Sequence, residues 1–206
     1  PYDLTRWRFH LREGMYWTDG VEFTAEDVVF TINLVKNTEG LVSHEFFRDL
    51  IKEAKVEDKY SVDLELKRPY AKLQEGYFGF GVVEWGCIFT PLPKHIWEDV
   101  EDTVTFQNEY PVVTGAYILK DYDSNGYWFL LKRREDWWRS PVGQILGMPK
   151  PKYILSIYYG PEEKKIMAMI RHELDICCDI TPEALFTLKE QNPYARAWYS
   201  YYPYGS

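Results

Sequence analysis

Residues 7–31 read WRFHLREGMYWTDGVEFTAEDVVFT, and the succession of patterns in them decides what the chain builds first. Trp7, Phe9 and Leu11 alternate with Arg6, Arg8, His10 and Arg12, a period of two that predicts a half-buried strand. Glu13-Gly14 breaks it. Thr18-Asp19-Gly20 supplies a turn, and Thr24-Ala25-Glu26-Asp27 has the form of a capping box, with Thr24 as N-cap and acidic groups near the positive end of a helix. Val28, Ile32 and Val35 follow at helical spacing, so a helix is predicted to about Lys36.

Downstream, Phe46, Phe47, Leu50 and Ile51 lie on one face of a predicted helix over 43–54. Short strands follow over 55–57 and 61–66, joined by Asp58-Lys59. Pro69 ends the sheet signal, and residues 76–85, rich in Gly and aromatics, show no clear period. Pro93 opens a short helix. Near Pro111 the pattern changes to a hairpin, 116–122 and 127–133 around Asp123-Ser124-Asn125-Gly126, whose Asn-Gly pair suits positive φ. Then come a strand over 153–159, a helix from Pro161 that reaches Arg171 and His172 in its last turn, a buried strand over 174–178, a helix from Thr181-Pro182-Glu183, and a last strand around 195–201. The order predicts an α/β fold with mixed strand directions, divided near Val113 into residues 1–113 and 114–206.

The 206 residues are 46% hydrophobic, enough for a folded core. Aromatic residues reach 17%, with 8 Trp and 17 Tyr, a surplus over packing needs that suits a ligand cleft or interface. A net charge of -8 argues against a nucleic-acid partner, which needs clustered cations. The nearest basic cluster, Lys132-Arg133-Arg134, runs straight into Glu135-Asp136 and reads as a solvated strand end. Cys87, Cys177 and Cys178 cannot all pair, so no disulfide framework is implied. No run of about 18 apolar residues is present, nor an N-terminal signal pattern.

Enzyme chemistry finds only near misses. No Gly-x-Ser-x-Gly elbow exists. His44-Glu45-Phe46-Phe47-Arg48 and His172-Glu173-Leu174-Asp175-Ile176 each lack the second histidine that would share a zinc ion, so no metal site is expected. Gly76, Gly79 and Gly81 miss the spacing of a dinucleotide loop, and no cofactor is expected. Cys177-Cys178 lacks the Cys-x-x-Cys spacing of a redox motif and reads first as two small residues on a buried strand. Paired carboxylates for glycoside hydrolysis need separations in space, so a carbohydrate hydrolase stands as an alternative of another class.

The stretch from Trp7 onward resembles the signature of the peptide/nickel class of extracytoplasmic solute-binding proteins that serve ABC importers, family 5. Three further pieces match in order: Thr114-Gly115-Ala116-Tyr117; Arg133-Arg134-Glu135-Asp136-Trp137-Trp138, similar to the family's Arg-Asn-x-x-Tyr-Trp; and His172-Glu173-Leu174-Asp175-Ile176, similar to its Gly-Glu-Leu-Asp-Ile. The departures, Arg134-Glu135 and His172 in place of Gly, touch turns. Residues 140–151 resemble branches of the family that include oligosaccharide binders.

The resemblance implies a class II periplasmic-binding-protein-like fold. Residues 1–113 would be most of the small second lobe, and 114–206 a segment of the first-lobe mixed sheet ending near the hinge. It also implies that the start of the large lobe, the third lobe and a C-terminal return strand lie outside this chain, which alone would bind solute weakly. Such proteins are not enzymes: two lobes close over an oligopeptide or oligosaccharide, and the closed form docks on membrane permease subunits. They work outside the cytoplasm, periplasmic or lipid-anchored. By the same resemblance Cys177, Cys178 and Asp179 face the cleft, Tyr202 and Tyr204 stack on solute or pack the hinge, and His44, Phe46 and Phe47 approach from the second lobe. A sensor that borrowed the binding fold is a third reading.

Overall fold

A computed structural model describes residues 3–71, 73, 89–178 and 180–197. The chain divides into two compact units, one formed by 1–123 with 129–155 and the other by 124–128 with 156–206. Helices and sheets mix along the chain, the α/β architecture that the sequence predicts.

The first unit is built on strands β1 (Arg6–His10), β2 (Ile51–Asp58) and β3 (Ser61–Leu66), which pair antiparallel in the order β1-β3-β2. Trp7 lies opposite Leu64 and Phe9 opposite Val62, while Arg8 lies opposite Asp63 and Asp63 opposite Lys55. The period of two therefore sorts the sheet into an apolar and a charged face.

On the apolar face sit helices α1 (Ala25–Asn37) and α2 (His44–Leu50). Val28 and Ile32 of α1 join Phe47 and Leu50 of α2, Ile51, Ala54, Val62, Leu64 and Leu66 in one core. Each Val, Leu, Ile or Phe side chain among them contributes roughly 1.5–3 kcal/mol when fully buried, so this cluster is the main reason the unit holds together. The predicted capping box forms. Thr24 accepts from the Glu26 amide at 3.3 Å, and the Asp27 carboxylate accepts from the Thr24 amide at 2.9 Å.

The helix predicted over 43–54 stops at Leu50, and β2 begins at Ile51. Phe47, Leu50, Ile51 and Ala54 satisfy helical spacing, yet Ile51 and Ala54 are buried just as well across from Leu66 and Leu64. The ladder to β3 decides in favour of the strand, since it satisfies backbone groups and the same apolar side chains together.

A short helix α3 (Lys94–Trp97) follows Pro93 as expected. Its approach is fixed by two buried groups of α1: Leu92 N–H donates to Thr31 Oγ1 at 2.8 Å and Lys94 N–H to Asp27 Oδ1 at 2.9 Å.

Strands β4 (Tyr117–Tyr122) and β5 (Trp128–Arg133) form the predicted hairpin, antiparallel with an irregularity between Leu119 and Asp121. Gly126 closes the turn at φ 78°, a conformation that glycine adopts without steric cost. Strand β6 (Tyr153–Ile157) lies beside β5, giving the order β4-β5-β6. Between β5 and β6 the chain makes a 3-10 turn, Trp137–Arg139, and a helix α4 (Pro141–Leu146) that the periodicity does not predict. The signal was local: Ser140 caps the helix through the Gly143 amide at 2.9 Å, with Pro141 at its start. Arg133 Nη1 donates to the Pro149 carbonyl at 2.7 Å and Tyr117 OH to the Pro151 carbonyl at 2.8 Å, which ties down 140–151.

In the second unit α5 (Glu162–Ile170) and α6 (Pro182–Gln191) pack through Ile166, Ala168, Leu185 and Leu188. The strand expected over 174–178 does not form: the segment is irregular and Ile176 is 71% exposed. An apolar run becomes a strand only where a neighbour takes its backbone groups, and among the described residues none pairs with it. Of the strand expected around 195–201, residues 195–197 are irregular and 198–201 lie outside the described residues, as do Gly76, Gly79, Gly81 and Cys87.

Candidate functional site

Five of the sequence-predicted site residues are described, three in the first unit and two in the second. His44, Phe46 and Phe47 stand together on α2. Phe47 is fully buried and stacks on Phe89 at 5.8 Å, while half-buried Phe46 meets Phe47 edge-on at 6.0 Å and Tyr70 at 5.7 Å. His44 is 8% exposed, and its Nδ1 lies 2.9 Å from the Val35 carbonyl. A carbonyl only accepts, so Nδ1 carries the proton and the ring pins α2 to the end of α1. Among these three only Phe46 keeps side-chain surface for anything beyond the core.

Cys177 and Cys178 lie between α5 and α6 in the second unit. The segment leaves α5 through a tight cap, in which the Glu173 amide donates to the Ala168 carbonyl at 2.8 Å and the His172 amide to the Met169 carbonyl at 3.2 Å. This bond pair requires a left-handed residue, and His172 takes it at φ 58°. The far end is clamped from the first turn of α5. Lys165 Nζ donates to the Cys178 carbonyl at 3.1 Å, and the Glu162 carboxylate accepts from Thr181 Oγ1 at 3.0 Å and from the Thr181 amide. Thr181 in turn caps α6 through the Ala184 amide at 3.2 Å. The segment is thus pinned at both ends, and its described residues 174–178 are irregular.

Cys177 is half-buried and Cys178 exposed, and neither is in a disulfide. Burial pushes the Cys177 thiol up, with nearby Lys165 pulling the other way and Cys178 and Glu162 adding to the rise. Asp179, Tyr202 and Tyr204 lie outside the described residues.

Sequence reasoning did not pick out a groove of about 420 Å³ on the charged face of the β1-β3-β2 sheet. Its walls carry Arg6, Arg8, Lys55, Glu53, Asp63 and Glu65. These charges answer one another: Arg8 holds Asp63 at 2.5 Å and Glu57 at 3.2 Å, and Lys55 holds Glu53 at 2.8 Å. The hydrogen bond from Arg8 keeps the Asp63 carboxyl below its ordinary value, and Asp63 raises Arg8 in return. Arg8 and Lys55 are thus engaged with carboxylates on a solvent-screened surface, where exposed ion pairs contribute little. Two members of the basic triplet are engaged likewise, Arg134 on Asp136 at 3.0 Å and Arg133 on backbone carbonyls. No group of three or more His, Cys, Asp or Glu side chains is gathered for a metal ion among the described residues. Nor is any described helix long and apolar enough to cross a membrane.

Known proteins share this fold. An oligopeptide ABC transporter protein from Thermotoga maritima, a periplasmic oligopeptide-binding protein bound to mannohexaose, is 26% identical and superposes with a TM-score of 0.71 over 92% of this chain and 33% of its own. The oligopeptide-binding protein AppA of Bacillus subtilis, in complex with a nonapeptide, gives 18%, 0.67, 93% and 35%. NikZ of Campylobacter jejuni, in complex with Ni(L-His), gives 22%, 0.63, 85% and 32%. The last two show likeness of fold alone, and the chain spans about a third of the length of these structures. The family model described as bacterial extracellular solute-binding proteins, family 5 Middle, matches residues 2–206. With the strand, turn and capped helix of residues 7–31 in place and that match running almost end to end, the chain belongs to family 5 of the bacterial extracellular solute-binding proteins.

Proposed function

We propose that this chain is part of the substrate-binding component of an ABC importer, which captures oligopeptides outside the cytoplasm and delivers them to the membrane permease with no bond made or broken. The observation that carries the reading is the family match over residues 2–206. In this reading 1–113 supplies most of the small lobe and 114–206 part of the larger lobe's sheet. Solute contacts made only in the closed form would drive closure, a population shift. Cys177, Cys178 and Asp179, with Tyr202 and Tyr204, would line the cleft. Half-buried Phe46, backed by His44 and Phe47, would approach from the other lobe.

A second reading within the family is an oligosaccharide solute. It is favoured by the mannohexaose complex of the 26% identical neighbour and by the 140–151 stretch. A thermal-shift screen of the full-length protein against peptide and oligosaccharide libraries separates the two. A solute present at a hundred times its Kd adds about 2.7 kcal/mol to stability, a shift well above noise. Stabilisation by peptides supports the first reading and by glycans alone the second. Turnover of either solute refutes both in favour of a hydrolase. The 206-residue stretch on its own should bind weakly, and micromolar affinity by calorimetry would contradict that.

A further inference from the structure

We propose that Cys177 and Cys178 form a thiol modification site: exposed to a low-molecular-weight disulfide, they close into a reversible disulfide between adjacent residues. The inference stands on the segment's own geometry and not on the identity of any solute.

Three observations lead here. Both thiols are unpaired, one half-buried and the other exposed. The segment holding them belongs to neither helix nor strand, so its backbone can change conformation without breaking a ladder. Its ends are held by the His172 cap and by Lys165 and Glu162, which confines the change to the residues between. The family is one of extracellular proteins, and no reducing thiol pool protects cysteines there.

The chemistry balances with the disulfide as oxidant. Cys178, the exposed partner, loses its proton to solvent and attacks one sulfur of the reagent, forming a mixed disulfide and releasing one thiolate. Cys177, half-buried in the resting segment, gives up its proton to solvent as the segment moves. It then displaces the second thiolate. One Sγ–Sγ bond forms, one reagent S–S bond is reduced, and two reagent thiols leave with the two protons. Adjacent Cα atoms are about 3.8 Å apart, short of the roughly 4.4–6.8 Å that relaxed disulfides span. The ring is therefore strained and easily reduced, the behaviour of a switch and not of a staple.

The test uses the full-length protein and oxidised glutathione. The expected product carries Cys177 and Cys178 in one peptide, lighter by two hydrogen atoms, closed to alkylation and reopened by dithiothreitol. Hydrogen exchange should then change within 171–181 and stay constant in the β1-β3-β2 sheet. Cys177→Ser should divert the reaction to a lasting glutathione adduct on Cys178. Glutathione adducts persisting on the wild type, a bond to Cys87, or thiols that stay open to alkylation would each overturn the proposal.

Discussion

Asp27→Ala tests whether the route from α1 to α3 is held by one buried carboxylate. The Asp27 residue is 4% exposed, and its two oxygens accept from the Thr24 amide and the Lys94 amide, both at 2.9 Å. Hydrogen bonds to a charged acceptor contribute roughly 1.5–3 kcal/mol each, because losing one strands a donor away from water. Removing a buried carboxylate also ends its own desolvation cost, which offsets part of the loss. A net destabilisation of about 2–4 kcal/mol is expected. Asp27→Asn keeps one acceptor oxygen and should lose about half as much. Thr31→Val removes the acceptor for Leu92 N–H and should cost about 1–2 kcal/mol. Both residues hold the same strand of chain, so the double variant should fall short of the sum by about 0.5 kcal/mol or more. Urea unfolding followed by tryptophan fluorescence measures the totals, and amide exchange at Leu92 and Lys94 shows where they arise. A loss for Asp27→Ala under about 0.5 kcal/mol, the usual size of an inert surface change, refutes the reasoning, as does unaltered exchange at Lys94.

Gly143→Ala should destabilise by about 1–3 kcal/mol, because a Cβ there would run into the Trp137 carbonyl; an unchanged urea midpoint would count against this packing. His172→Gly should stabilise by about 1 kcal/mol, since His172 bears the left-handed cost that glycine escapes, and a lowered midpoint would contradict the cap geometry. Burial raises the Asp19 carboxyl, but hydrogen bonds from His95 Nε2 at 2.7 Å and the Val21 amide at 3.1 Å outweigh it and leave the group below its ordinary 3.8. Its stabilisation is therefore present above that value and lost as pH falls through the depressed one. Asp19→Asn should flatten the acid limb of the stability profile, and an unaltered limb would refute the assignment.

The sequence was most legible where two signals agreed. At 7–31 alternation, turn and capping residues all named the same elements, and each formed. At 43–54 periodicity alone was available, and Phe47, Leu50, Ile51 and Ala54 fit either a helix or a strand; the partner β3, distant in sequence until folding, decided it. The 174–178 run failed for the complementary reason: apolar composition says nothing of whether a strand lies beside it. At the site, adjacency of Cys177 and Cys178 was plain from sequence. The clamp by Lys165 and Glu162 was not, because it depends on how the first turn of α5 lies against the start of α6. Phe47 and His44 show the limit of reading aromatics as ligand surface, since core packing claims the same side chains.

Among the described residues strand β6 is an edge of its sheet, and Tyr153, Ile154, Leu155 and Ile157 are 43%, 40%, 53% and 42% exposed. Tyrosine, isoleucine and leucine in succession, interrupted only by Ser156, make a sticky rim that invites another copy to add a strand. Concentrated preparations of these 206 residues should therefore gel or form fibrils before they unfold. Replacing Ile154 by lysine would place a charge in that rim and keep the sample fluid, with the melting point nearly unmoved.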